Sequence, residues 1–343
     1  MLRPLLLLPG VLLAAALGAL AIGLHALQAR FLAHPPLESL VLALLLGVGL
    51  RQLLGPIPRC LPGQSFCAKQ LLEVAVLLLG ATMDLRQVLA GGPRLLFAVA
   101  LAVLVSLVGG VLLARRVFAL ERKPAVLIAV GNAICGNSAI ATVAPLVAAS
   151  TTEVAGAIAF TALLGVGLVL LLPLSISLLG LSHGQYGVLV GLSVYAVPQV
   201  LAASYPVSEL AGQSATLVKL IRVLFLAPVA VYFALRQDLR VSADAAKPAT
   251  GRLRLSQLVP WFIAGFLVLS ALRSLGLITA AMAAPIKEAS RLLTILGMAS
   301  LGLAVDIHAL RAAGRRTAGA VLASLLLLLA VSYALICLLQ LGK

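Results

Sequence analysis

Two cations stand where a chain this apolar should hold none. Lys219 and Arg222 lie in the run Ala211-Gly-Gln-Ser-Ala-Thr-Leu-Val-Lys-Leu-Ile-Arg-Val-Leu-Phe-Leu-Ala-Pro228, three residues apart and so on one face of a helix. A cation at bilayer depth costs at least about 2.5–3.5 kcal/mol on insertion scales, and those that are kept commonly mark a ligand or ion path. The pair is expected either to face an anionic substrate or to coordinate a broken helix. The plainer alternative is snorkelling to an interface, or pairing with a buried acid such as Asp84, Glu73 or Asp306.

A second stretch supplies a partner for them. Gly131-Asn-Ala-Ile-Cys-Gly-Asn-Ser-Ala-Ile-Ala-Thr-Val-Ala-Pro145 gathers glycine, asparagine, serine and proline inside an otherwise apolar segment, and these residue types weaken helix propensity. Backbone freed in a bilayer survives only where protein or a water-filled cavity satisfies it. The stretch is therefore expected to be a discontinuous helix lining a substrate path, with Gly131, Asn132 and Pro145 as structural breaks. Cys135, Gly136, Asn137 and Ser138 would expose N–H groups and side-chain donors at the start of a following half-helix, an arrangement that attracts anions. The alternative is a small-residue contact for close helix packing. In a third polar run, Gly191–Val200, Pro198 removes a helix hydrogen bond, and Tyr195 and Gln199 are placed on one face of a path-lining or merely kinked helix.

The elements that must position these groups are membrane helices. The 343 residues are 62% hydrophobic and 10% charged, with mean hydropathy +1.17, which marks an all-α polytopic membrane protein. Eleven spans are expected, at 5–26, 37–54, 70–90, 94–114, 125–149, 154–180, 186–204, 212–235, 257–278, 289–310 and 317–340, with one long loop over 236–256. The apolar stretch from Leu5 to Leu27 is too long for a signal h-region and is read as the first helix. Sixteen Lys and Arg fall in one set of alternate loops and seven in the other. Basic residues collect in the cytoplasm, so the N-terminus is expected inside and the C-terminus outside. The net charge of +15 is thus assigned to cytoplasmic loops and not to nucleic acid, and aromatics at 4% offer no base-stacking platform. Four cysteines without a CxxC motif predict neither a disulfide nor a metal site. No Ser/His, Asp/Asp or HExxH constellation points to an enzyme, and no cofactor is expected.

Glu73-Val-Ala-Val-Leu-Leu-Leu-Gly-Ala-Thr-Met-Asp84 is echoed by Ile295-Leu-Gly-Met-Ala-Ser-Leu-Gly-Leu-Ala-Val-Asp306, in spans of opposite direction. Opposed copies are the mark of inverted-repeat transporters. A second register pairs the fifth span with the tenth and makes Gly297 to Gly302 a second break. The core subdomain is expected to include 70–180 and 285–340 of one transport unit over 1–343.

Ile134-Cys-Gly-Asn-Ser-Ala-Ile140, Val218-Lys-Leu-Ile-Arg-Val223, Val259-Pro-Trp-Phe-Ile-Ala-Gly-Phe266 and Leu301-Gly-Leu-Ala-Val-Asp306 together resemble the bacterial inner-membrane family named as sulfate exporters. The resemblance covers nearly all of the chain beyond residue 35. It implies a fold akin to the bile acid:sodium symporter and sodium/proton antiporter group, with crossed broken helices, a homodimer, and transport of sulfate or a related anion. Where that family pattern has histidine then glutamate, this chain has Tyr195 and Ala196. Proton coupling through those positions is lost, which favours uniport or exchange. The expected function is an alternating-access carrier of a small anion, with a cation-coupled carrier of an organic acid as the first alternative and a membrane sensor or structural subunit as the second.

Overall fold

The computed structural model describes residues 3–31, 37–83, 92–235, 261–305 and 314–342, and regular structure within them is helical. In chain order the elements are α1 (Arg3–Phe31), α2 (Ser39–Leu54), α3 (Pro58–Thr82), α4 (Gly92–Val117), α5 (Arg122–Ala133), α6 (Asn137–Val143), α7 (Thr151–Leu171) and α8 (Leu174–Leu179). They continue with α9 (His183–Ser193), α10 (Val197–Ser204), α11 (Glu209–Leu235), α12 (Trp261–Ser274), α13 (Ala280–Leu303) and α14 (Arg315–Leu339). Each of the eleven expected spans contains helix. Among the described residues six helices, α1, α3, α4, α7, α11 and α14, are long and apolar enough to cross a membrane.

Two of the expected spans, 125–149 and 186–204, do not cross. The 25 residues of α14 cover about 37 Å at 1.5 Å per residue, and the helix thus marks the two ends of the bundle. Phe118 packs on Gly319 near its start, and Ser182 Oγ donates to Gly342 O at 2.9 Å just beyond its finish. Residues 118 and 182 are therefore at opposite ends, so the two expected spans between them include only one crossing. That crossing is α7, whose Phe160 clusters with Ala125, Ile128 and Ala320 at the starting end of α14, while Val169 and Leu170 lie with Ala202 and Pro206 at the other.

The segment before α7 folds back on itself. Gly136 turns the chain with φ 68° and ψ −121°, open to glycine because it lacks a Cβ, and Ile140 of α6 returns to pack on Gly131 of α5. The second hairpin enters from the opposite end. Tyr186 Oη in α9 donates to Ala203 O in α10 at 2.8 Å, a bond between the two arms. Capping boxes begin two of the helices at the bundle ends: Ser150 with Glu153 starts α7, and Ser182 with Gln185 starts α9, each satisfying otherwise orphaned N–H groups. The expected crossed broken helices are thus corrected to two opposed re-entrant hairpins. The loop count of basic residues could not see the difference, because 144–153 and 172–185 contain no Lys or Arg and reversing the helix between them moves no charge.

Three further expectations change. Gly131 and Asn132 lie in the last turn of α5 and not at the break, which spans Ile134–Gly136. Gly297 and Gly302 are not a break either: α13 runs unbroken through both. A Cβ at Gly297 would overlap the Leu72 side chain, and one at Gly302 the Leu44 carbonyl, so these glycines allow close helix packing. Pro145 falls in the turn after α6, and Pro198 is the second residue of α10, where a missing N–H costs nothing.

Contacts divide the helices into two groups. One, α1, α2, α3, α12 and α13, packs around α13. The other, α4 to α7, α9 to α11 and α14, surrounds the hairpins. The echoed helices α3 and α13 pack on one another; Asp84, Asp306 and the loop 236–256 lie outside the described residues. Lys287 Nζ and Glu209 Oε2, 2.5 Å apart, join the two groups.

The hairpins give an experimental distinction. In a protein freed of native cysteines, His183→Cys should react with a membrane-impermeant maleimide from the side opposite to Glu121→Cys. Labelling of both from one side would restore the eleven-crossing topology.

Candidate functional site

The tips of the two hairpins meet at Lys219 and Arg222. Both cations are fully buried. Lys219 Nζ donates to Ile134 O at 2.6 Å and to Val194 O at 2.9 Å. Arg222 Nε donates to Ala133 O at 2.7 Å, Nη2 to Asn132 O, and Nη1 to Val194 O at 3.2 Å and Gly191 O at 3.4 Å. Each side chain therefore reaches both tips.

The acceptors explain the choice of residues. The final carbonyls of α5 and α9 have no intrahelical partners and carry the negative end of each helix dipole. A guanidinium offers five N–H donors in a planar fork, which suits carbonyls arriving from two helices. Of the readings open to the sequence, coordination of broken helices is the one realised. Neither cation lines the cavity beside the tips. Among the described residues no carboxylate bonds to either, and backbone carbonyls are their acceptors.

That cavity, about 660 Å³, lies between the hairpin tips and helices α3, α12 and α13. Cys135, Asn137, Ser138, Tyr195 and Gln199 all line it, so the two polar runs do converge. Gly136 sets the turn behind them, with Tyr195 Cβ close to where its own Cβ would be.

Thr161 Oγ1 lies 2.9 Å from Asn137 Oδ1, 3.0 Å from Ile158 O and 3.2 Å from Ala157 O, three acceptors for its single proton. Ala196 N donates to Gln199 Oε1 at 3.2 Å, which leaves Gln199 Nε2 as a donor. The Tyr195 hydroxyl is buried without a partner, a costly state unless a ligand completes it. Dipole attraction at the start of α6 is a minor contribution, because the helix has only seven residues.

Lys69, Glu73, Thr161 and Trp261 are among the cavity residues that the sequence pattern did not single out. Placing the third span at 70–90 put Lys69 in a loop and Glu73 near a helix end. The helix in fact begins at Pro58, with Pro62 in the first turn of its α-helical part and a π-helical turn over Cys67–Leu71. Proline is tolerated in a first turn, and that was the available signal. Trp261 Nε1 donates to Glu73 Oε2 at 2.7 Å across α12 and α3.

The fold and site together define a multi-pass α-helical membrane protein with two opposed re-entrant hairpins held at their tips by buried cations. The family model described as conserved hypothetical protein 698 matches residues 9–321, both hairpins and the cations included, and the chain belongs to that family. It is 47% identical over 330 residues to a UPF0324 membrane protein of Bradyrhizobium diazoefficiens, covering 96% of this chain and 92% of the relative. A UPF0324 membrane protein of Brucella suis biovar 1 is 49% identical over 331 residues, covering 96% of each chain. One from Bacillus cereus is 34% identical over 300 residues, covering 85% and 86%. No solved structure matches the chain.

Gly136→Ala should lower stability by about 1–3 kcal/mol, the usual cost of a residue forced into such a backbone region, whereas Tyr195→Phe should leave it unchanged or raised, since it removes an unsatisfied hydroxyl. Thermal unfolding in detergent checks both. An indifferent Gly136→Ala would contradict the tip geometry.

Proposed function

We propose that the chain is a secondary transporter of a small anion, inorganic or organic, such as sulfate or a sulfonate, working by alternating access in a bacterial inner membrane. The observation that carries this reading is the donor set at the hairpin tips. Asn137, Ser138, Tyr195 and Gln199 line one cavity, with Lys219 and Arg222 bonded to the hairpin backbone directly behind them. An oxyanion is an acceptor-only ligand, and charge-assisted bonds of this kind are the strong ones.

Two further features support a carrier. The hairpins enter from opposite ends, which supports a site near the middle of the bundle, where inverted-repeat carriers bind their substrates. The cavity lies where the two helix groups meet, so a relative shift of the groups would change the end to which it opens. In this reading nine crossings and two hairpins replace eleven crossings, with the N-terminus cytoplasmic and the C-terminus external. The resemblance to sulfate exporters adds the inner-membrane location, sulfate as first candidate and a homodimer.

Purified protein in liposomes should exchange labelled sulfate, thiosulfate, taurine or succinate. Asn137→Ala should cut the rate at least tenfold while the protein elutes from size exclusion as the parent does. Unchanged exchange in that variant would remove the tip from the path.

A further inference from the structure

The proposed function leaves one charged group on the cavity wall without a role. Glu73 is the sixteenth residue of α3 (Pro58–Thr82), about 22 Å along the helix, and is partly exposed. It is the only carboxylate lining the cavity among the described residues. Its Oε2 is held by Trp261 Nε1 at 2.7 Å, which fixes the carboxylate from a second helix. Lys69, four residues earlier on the π-helical turn, lines the same space. π-Helical turns inside α-helices gather at functional sites.

The neighbours define what Glu73 can do. From the hairpin tips the titratable groups on the cavity are Cys135 and Tyr195; α2, α11 and α13 present only apolar side chains to it, and Lys69 and Trp261 complete the polar groups of the α3–α12 wall. Glu73 belongs to the α3–α12–α13 group of helices and the donors of the tips to the other group. An ionised Glu73 thus shares one cavity with the anion that the tips would bind, and like charges in such a space disfavour each other. Protonation removes that repulsion.

We propose that Glu73 is the coupling residue of this carrier: it accepts a proton from the cavity, its neutralisation permits the anion to occupy the hairpin tips, and proton and anion cross together. This rests on the anion-carrier reading above. The step is a single proton transfer from hydronium in the cavity to a Glu73 carboxylate oxygen. The proton returns to water, and the carboxylate is regenerated, when the cavity opens to the other side. No other bond changes. Coupling absent from positions 195 and 196 is in this way supplied from the facing wall.

The test uses the full-length protein in liposomes with labelled sulfate, thiosulfate, taurine and succinate as probes, comparing exchange at equal pH with accumulation driven by an inward proton gradient. The parent should accumulate a probe under the gradient. In Glu73→Gln the ratio of gradient-driven accumulation to exchange should fall at least tenfold, and Glu73→Asp, which keeps a carboxyl group, should restore most of it. A parent that exchanges a probe but ignores the proton gradient, or is driven by sodium alone, overturns the coupling role and leaves the carrier reading intact. Undiminished gradient-driven accumulation in Glu73→Gln overturns it too, as does parallel loss of both activities in a well-folded Glu73→Gln protein. A parent that moves no probe in either assay overturns the carrier reading and this proposal with it.

Discussion

Two side chains on one helix hold two helix ends that would otherwise be untenable. The final carbonyls of α5 and α9 stop in the interior of the bundle, where water is scarce and an unpaired backbone group costs as much as a lost hydrogen bond. Lys219 and Arg222 supply the donors. The exchange works in both directions: a buried cation needs acceptors, and bonds to a charged group contribute roughly 1.5–3 kcal/mol each where a neutral bond contributes about 1. Because each cation bonds to both hairpins, neither tip can shift without breaking contacts to the other.

The rest of the site follows from that clamp. With the carbonyl ends turned toward α11, the second arm of each hairpin begins on the cavity side, carrying Asn137, Ser138 and Gln199 there. The Ala196 amide then occupies the Gln199 amide oxygen. The scaffold helices form the opposite wall, and their close approach depends on residues without side chains. Gly47 and Gly302 face one another between α2 and α13, the small-residue contact that membrane helices use where no hydrophobic force draws them together.

Much of this was legible in the residues. The apolar composition set the class, and two cations in an apolar run pointed to the centre of the molecule. The Cys135–Ser138 and Tyr195–Gln199 runs were recognisable as polar interruptions because helix-breaking residues rarely persist in lipid without a reason. What escaped was direction. A break in an apolar segment looks the same whether the chain continues across or turns back, and only long-range contacts such as Tyr186 with Ala203 and Ser182 with Gly342 separate the two. Gly297 and Gly302 misled for a related reason, since a glycine that breaks a helix and a glycine that admits a neighbour are one letter. Glu73 was undervalued because the third span was started at residue 70, which set it near a helix end, whereas the helix opens at Pro58.

The central claim is that the cations serve the fold before they serve a ligand, and the unliganded thermal stability of Arg222→Met tests it most directly. A structural clamp predicts a fall on the order of 3 kcal/mol, because substitution strands carbonyls from two helices, and the fall should occur with no anion present. A cation kept only for a ligand predicts the reverse: removing an unneeded buried charge would leave the empty protein as stable as the parent or more so. An Arg222→Met protein that unfolds at or above the parent temperature would contradict the clamp.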